Sequence, residues 1–266
     1  MSRSLVRRFV VDNCVIKSAM KKILLIGCLI LITACQSVTP TPAPVLPSPT
    51  KAPHTPTAPV SATPDFTSTP AFSPTPPPGF FTEEFDSHPV QWSTHLASGE
   101  TIPQMDTENG SLVIFLDHPN NWVYTVYSPY DYTDIRLDAQ VRGDGGKPGS
   151  IGLICRYSES AGWYEFNLSS DGTYGVLFGQ WVAQGIARYT PIALDSSEYL
   201  QPGVLDYEIG LACQEDTLWL YINGKLFRKL DVSRYGLREG KVGITAASFD
   251  ALPLTASFDW VKVSGP

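Results

Sequence analysis

Tyr132-Thr133-Asp134-Ile135-Arg136-Leu137-Asp138-Ala139-Gln140-Val141-Arg142-Gly143 is the stretch on which the fold turns. Ile135, Leu137, Ala139 and Val141 fall on one side of it; Asp134, Arg136, Asp138, Gln140 and Arg142 fall on the other. A period of two is that of a half-buried strand, because successive side chains leave opposite faces of the pleat. Working outward, strand-like runs are predicted over residues 150–157, 163–168, 173–179, 205–213, 217–222, 225–230, 241–249 and 256–263. Upstream they cover 80–85, 111–116 and 122–127. No stretch has a helical period. Asn109-Gly110, Asp171-Gly172 and Asn223-Gly224 each separate two runs, and these pairs accept the positive φ that tight hairpins require. Many short strands with closely spaced turns predict an all-β fold, a two-sheet antiparallel β-sandwich or jelly roll.

The rest of the chain is of another kind. Residues 36–78 contain 14 of the 23 prolines, nine threonines and five serines. Proline fixes φ and lacks the amide donor, so neither helix nor sheet propagates there. The segment reads as a disordered, extended tether. Before it, Met20-Lys21-Lys22 opens an uncharged apolar run, Ile23 to Ile32, that exits through Thr33-Ala34-Cys35. A basic start, a short apolar run and small residues make a secretory signal. The run is too short to span a bilayer, which takes about 20 residues. Three regions follow: 1–34, leader and signal peptide with Met20 as its start; 35–79, the tether; and 80–266, the β-sandwich.

Charge follows the same division. Residues 1–34 carry six basic residues and one acid, the tether one of each, and the remainder 12 basic against 24 acidic residues, a net −12. That module is a poor partner for nucleic acid, whose phosphates need clustered Lys and Arg. All six Trp, all 12 Tyr and nine of the 12 Phe also lie after residue 78.

Two resemblances follow from these residues. Ile32-Thr33-Ala34-Cys35 resembles the lipobox of bacterial lipoproteins. The resemblance implies cleavage before Cys35, lipid on its thiol, and display outside the cytoplasm on a membrane anchor. The second rests on Trp163-Tyr164-Glu165-Phe166, Asp171-Gly172-Thr173-Tyr174, Leu218 to Phe227, Gly240 to Ile244 and Phe258 to Val263. These look like concanavalin A-like lectin/glucanase modules of the laminin G and 3-keto-disaccharide hydrolase-like type, related in fold to family 16 glycoside hydrolases. Such modules end by returning a strand beside the first, so residues 80–85 and 256–263 are expected to be neighbours. The fold hosts lectins, hydrolases and plain spacers, so it does not name an activity.

With Cys14 and Cys28 upstream and Cys35 lipidated, Cys155 and Cys213 remain. Each shares the apolar side of its strand, on strands that could be adjacent. We expect a disulfide between them, with two separate buried thiols as the alternative.

Catalytic signals are sparse. Family 16 enzymes carry Glu-x-Asp-x-x-Glu on one strand; the nearest match, Glu84-Phe85-Asp86, has Pro89 where the last acid belongs. The four histidines, 54, 88, 95 and 118, lack zinc-ligand spacing, and no Gly-x-Ser-x-Gly, Gly-x-Gly-x-x-Gly or phosphate-loop pattern occurs. No catalytic residue is assigned. Calcium, common in laminin G-like relatives, is left open on Asp144 or Glu215-Asp216.

Strand parity supplies a binding candidate. Tyr164, Phe166 and Leu168 point inward, which leaves Trp163, Glu165 and Asn167 on the opposite face, with Arg156 expected beside them and Trp181 and Arg188 on the next segments. An aromatic ring among Arg, Asn and carboxylate suits a sugar. A cross-strand Arg156–Glu165 pair with ordinary packing of Trp163 is the alternative. Trp92, Trp122, Trp219 and Trp260 are expected in the core. Three functions stay open: a non-catalytic module binding glycan or cell-wall polysaccharide, a hydrolase of disaccharide derivatives or glucans, and a structural or protein-interaction module.

Overall fold

The structure is a computed structural model; it describes residues 79–144 and 146–266. The leader, Cys35 and the tether up to residue 78 lie outside the described residues.

Fifteen strands follow in order: β1 (Phe81–Glu83), β2 (Trp92–Ser98), β3 (Gln104–Glu108), β4 (Ser111–Leu116), β5 (Trp122–Tyr132), β6 (Ile135–Gly143), β7 (Gly149–Ser158), β8 (Gly162–Ser169), β9 (Thr173–Ala183), β10 (Ile186–Ser196), β11 (Asp206–Gln214), β12 (Thr217–Ile222), β13 (Lys225–Asp231), β14 (Gly240–Ser248) and β15 (Leu254–Ser264). One 3-10 turn, Ser233–Tyr235, lies between β13 and β14. They form two antiparallel sheets. The first is ordered β13-β12-β11-β6-β15-β4-β3, with β1 also paired to β15; the second is ordered β10-β9-β8-β7-β14-β5-β2. β1 and β15 pair Phe81 with Val263, so the chain closes on its first strand as expected.

The alternating residues of β6 do what their period requires. Ile135, Leu137, Ala139 and Val141 are fully buried in the core between the sheets. Opposite them stand Ile151, Leu153, Tyr164, Phe166, Leu168, Val242 and Ile244 of the second sheet. The hairpin pairs behave likewise: Asn109 and Gly110 have φ of 53° and 71°, and Asn223 and Gly224 have 49° and 71°. At Asp171-Gly172 only the glycine takes positive φ, 79°.

Cys155 and Cys213 are bonded, across 58 residues and with Cα atoms 6.6 Å apart. The adjacency that the sequence allowed is not found: β7 and β11 belong to opposite sheets, and the bond crosses the core. Closing a loop of that length stabilises the fold by about 4 kcal/mol on the chain-entropy model.

Three strands carry no alternating pattern in the sequence: β2, β3 and β10. All three lie at sheet edges. Of the four tryptophans expected in this core, Trp92 is there. Trp122 is buried on the other face of the second sheet. Trp219 lies outside, with Lys229 Nζ 3.6 Å above its ring. A register shift between Phe258 and Trp260 turns Trp260 off the core side as well.

Candidate functional site

The second sheet has its own core on the face turned away from the first. Trp122 and Tyr124 of β5, Ile154 of β7, Trp163 of β8 and Leu177 of β9 are buried there, with Trp181 and Tyr189 packed against them. Trp122 and Tyr189 belong to strands five steps apart in the sheet. In a flat sheet that separation is about 24 Å, yet their rings stack with centroids 4.9 Å apart. The sheet therefore curls until its edge strand β10 meets its opposite side. Glycines on the concave side permit this. A Cβ on Gly179 would lie 2.3 Å from the Trp163 indole, and one on Gly152 2.1 Å from the Asn167 amide oxygen.

Glu165 sits at the centre, fully buried. Trp122 Nε1 donates to Oε1 at 3.0 Å and Asn167 Nδ2 to the same oxygen at 2.7 Å. The Tyr124 hydroxyl donates to Oε2 at 2.8 Å and Trp163 Nε1 at 3.2 Å. Desolvation raises the Glu165 pKa above the ordinary carboxylate value, and the hydrogen bonds oppose that rise. The Tyr124 and Tyr189 hydroxyls bond to each other, and burial raises both well above the usual tyrosine value.

The candidates read from the sequence thus separate. Trp163, Glu165 and Asn167 occupy one face as their parity requires, but they form a packed interior and not an open surface. Trp181 joins them; its ring is 5.0 Å from that of Trp163, and its Nε1 donates to the Tyr157 hydroxyl at 3.1 Å. Arg156 does not join. The register of β7 shifts after Cys155, and Arg156 has φ of 52°. The turned backbone sends its buried guanidinium to the carbonyl oxygens of Thr133, Glu215 and Leu237 at 2.7–3.2 Å. It ties loops together and does not face Glu165. Arg188 is exposed and bonds Gln180 across the hairpin, on the side opposite to Ala187 and Tyr189.

No three His, Cys, Asp or Glu side chains converge on a metal-sized space among the described residues. Asp144 is engaged by Lys147 at 3.0 Å, and Asp216 pairs with Arg238.

What remains open on this face is a groove of about 270 Å³ beside the packed cluster. Ser93 and His95 of β2, Ser128 of β5, Tyr157 of β7, Glu159 and Lys241 line it. The His95 and Tyr157 rings are 5.5 Å apart. Lys241 Nζ donates to the Ser128 carbonyl at 2.8 Å and pairs with Asp131 at 3.4 Å. Partial burial lowers the His95 pKa, against a smaller upward effect of Glu159. None of these residues stood out in the sequence, because the groove forms from the ends of strands distant along the chain. One signal was legible: Glu165-Phe166-Asn167-Leu168-Ser169-Ser170 has the spacing of Glu-x-Asp-x-x-Glu, with an amide and a hydroxyl at the second and third places.

No family model and no curated protein matches the chain. Solved structures do. A glycoside hydrolase family 16 endo-glucanase from Bacteroides ovatus superposes with a TM-score of 0.51 at 9% identity, over 69% of this chain and 99% of that one. The laminarinase catalytic domain from Thermotoga maritima gives 0.50 at 13% identity, over 70% and 97%. A protein of unknown function with a galectin-like fold from Bacillus subtilis gives 0.50 at 14% identity, over 70% and 94%. At these identities the likeness is one of fold. With the two packed sheets and the last strand paired to the first, it shows the fold to be a concanavalin A-like jelly roll.

Proposed function

We propose that this module binds glycans without cleaving them, and that it is displayed outside the cytoplasm by the tether and a lipid on Cys35. One observation carries the binding reading: the groove on the concave face, where the half-buried His95 ring, backed by the buried Tyr157, stands among hydroxyl and charged side chains. Sugars pack their apolar faces on rings and exchange hydrogen bonds around the rim. Neighbours in fold described as an endo-glucanase and a laminarinase support a saccharide as the class of ligand. The display reading is supported by Ile32-Thr33-Ala34-Cys35 and the proline-rich stretch after it.

The non-catalytic reading follows from the acids. Retaining and inverting glycosidases need two carboxyl groups about 5–10 Å apart across the scissile bond. Inside the curl Glu165 is the one acid among the described residues, and Trp163, Tyr124 and Tyr189 shut it from solvent. Of the two acids that line the groove, Asp131 is held by Lys241 at the rim, which leaves Glu159. Titration of the full-length protein with cell-wall polysaccharides and glucan oligosaccharides tests the reading. Binding weakened at least tenfold by His95→Ala, with no release of reducing ends, is the expected result. Reducing-end release would overturn the non-catalytic reading, and absence of binding to every preparation would overturn the glycan reading.

A further inference from the structure

The part of the concave face that stays open bears on which portion of a glycan it can take. The groove is lined from β2, β5, β14, β7 and the turn after β7; β8, β9 and β10 contribute nothing to it. Four adjacent strands are three steps of ~4.8 Å, so it covers about 14 Å of a seven-strand face that is about 29 Å wide along the strand order. Its volume of about 270 Å³ lies just under the ~300–1,000 Å³ of sites for drug-sized ligands, room for about one or two sugar rings.

The inner end of the groove is solid. Tyr157 is 4% exposed; its ring stands 5.5 Å from that of Trp163, and its hydroxyl accepts a hydrogen bond from Trp181 Nε1 at 3.1 Å. Trp181 packs on Trp163 at 5.0 Å, and Tyr189 stacks on Trp122. The hairpin that carries Trp181 and Tyr189 reaches the opposite edge of the sheet: a Cβ on Gly185 would lie 3.9 Å from the Leu96 carbonyl oxygen of β2. The tip of β9 and β10 therefore lies as a bar across the face. Ser93 is exposed and Ser128 half-buried at the open side. A chain that enters past them meets His95 and Tyr157 with the bar behind, and has no path across the sheet.

The interior of a polymer fits a cleft only where both ends of the cleft are open; a cleft closed at one end admits a terminus. On this basis, and resting on the glycan-binding reading above, we propose that the groove takes the ends of glycan chains and short oligosaccharides and rejects chain interiors, with the β9–β10 hairpin as the stop that sets this specificity. The terminal sugar lies toward His95, and the rest of the chain leads out past the exposed Asp131 into solvent.

The test uses the full-length protein with a linear β-1,3-glucan and a cell-wall polysaccharide, each intact and hydrolysed to fragments about one tenth as long. Hydrolysis multiplies the chain ends about tenfold and leaves the sugar mass unchanged. The mass concentration that half-saturates the protein in titration calorimetry should therefore fall about tenfold on hydrolysis. An unchanged or higher value would show that interiors bind, and would overturn end selection while leaving glycan binding standing. If neither the polymers nor their fragments bind, the glycan reading itself fails and end selection with it. A second protein has residues 180–188 replaced by Asn-Gly, a tight turn between the paired Gly179 and Tyr189, together with Tyr189→Ala. It lacks Trp181 and the reach to β2. Its intact and hydrolysed probes should half-saturate within about twofold of each other, the fragments at the value found for the unaltered protein. A tenfold gap that persists, or loss of fragment binding by the folded variant, would overturn the hairpin's assignment as the stop. The ratio in the unaltered protein decides end selection whether or not the variant folds.

Discussion

Replacing Glu165 with alanine removes the acceptor on which the concave-face core is built, and its cost can be worked from the donors left behind. Four groups point at the carboxylate, but two keep another partner. Trp122 Nε1 also reaches the Thr245 hydroxyl at 3.0 Å, and the Tyr124 hydroxyl also bonds that of Tyr189. Trp163 Nε1 and Asn167 Nδ2 lose their acceptor. At ~1–3 kcal/mol for each buried unsatisfied donor, the loss is about 2–6 kcal/mol. Urea denaturation followed by tryptophan fluorescence measures it directly. A loss below about 1 kcal/mol would refute the claim that these donors depend on Glu165. Glu165→Gln adds a second check through pH. The folded pKa is raised, so protonation favours the native state. The corresponding stability is fully present below the unfolded pKa and is lost as pH rises through the folded value, ~1.4 kcal/mol for each unit between them. Glutamine has no such loss. The advantage of the unaltered protein over Glu165→Gln should therefore shrink as pH rises above the ordinary carboxylate range; a constant difference would contradict a buried, desolvated carboxylate.

Two further outcomes follow from packing. Cys155→Ala with Cys213→Ala releases a 58-residue loop and should lower unfolding free energy by about 4 kcal/mol, whereas reductant should have no further effect on that variant. Gly179→Ala places a methyl 2.3–2.6 Å from the Trp163 indole; overpacking of this kind costs ~1–3 kcal/mol, and a shift of near-ultraviolet circular dichroism should report displacement of the ring.

Most of the interior was legible because period two is a property of one strand. β6, β8 and β11 declare their buried side without reference to any partner. The edge strands β2, β3 and β10 do not. β10 contains Pro191, which fits only where a ladder hydrogen bond is dispensable, and β3 reads Gln-Met-Asp-Thr-Glu with most of its side chains facing solvent. Their state is decided by the neighbour they pair with. Arg156 and Trp260 were placed on the wrong side because both lie where the register shifts, and a single extra residue reverses parity from that point on. The groove was illegible for a third reason. Ser93, Tyr157 and Lys241 are brought together by β2, β7 and β14, each followed or preceded by strands of the other sheet.

The amino-acid sequence by itself determined that residues after 78 form a β-sandwich, that three tight hairpins turn at Asn-Gly and Asp-Gly, and that Trp163, Glu165 and Asn167 share one face. These are local consequences of side-chain alternation and of φ preference. Only the tertiary structure decided that this face is closed. The curl of the second sheet brings Tyr189 from its edge onto Trp122, and an apparently open sheet becomes a second core with a groove at its border. Curvature sums small rotations over seven paired strands and depends on glycines that matter only once the strands are in register. For that reason it is written in the pairing of strands and not in any one of them.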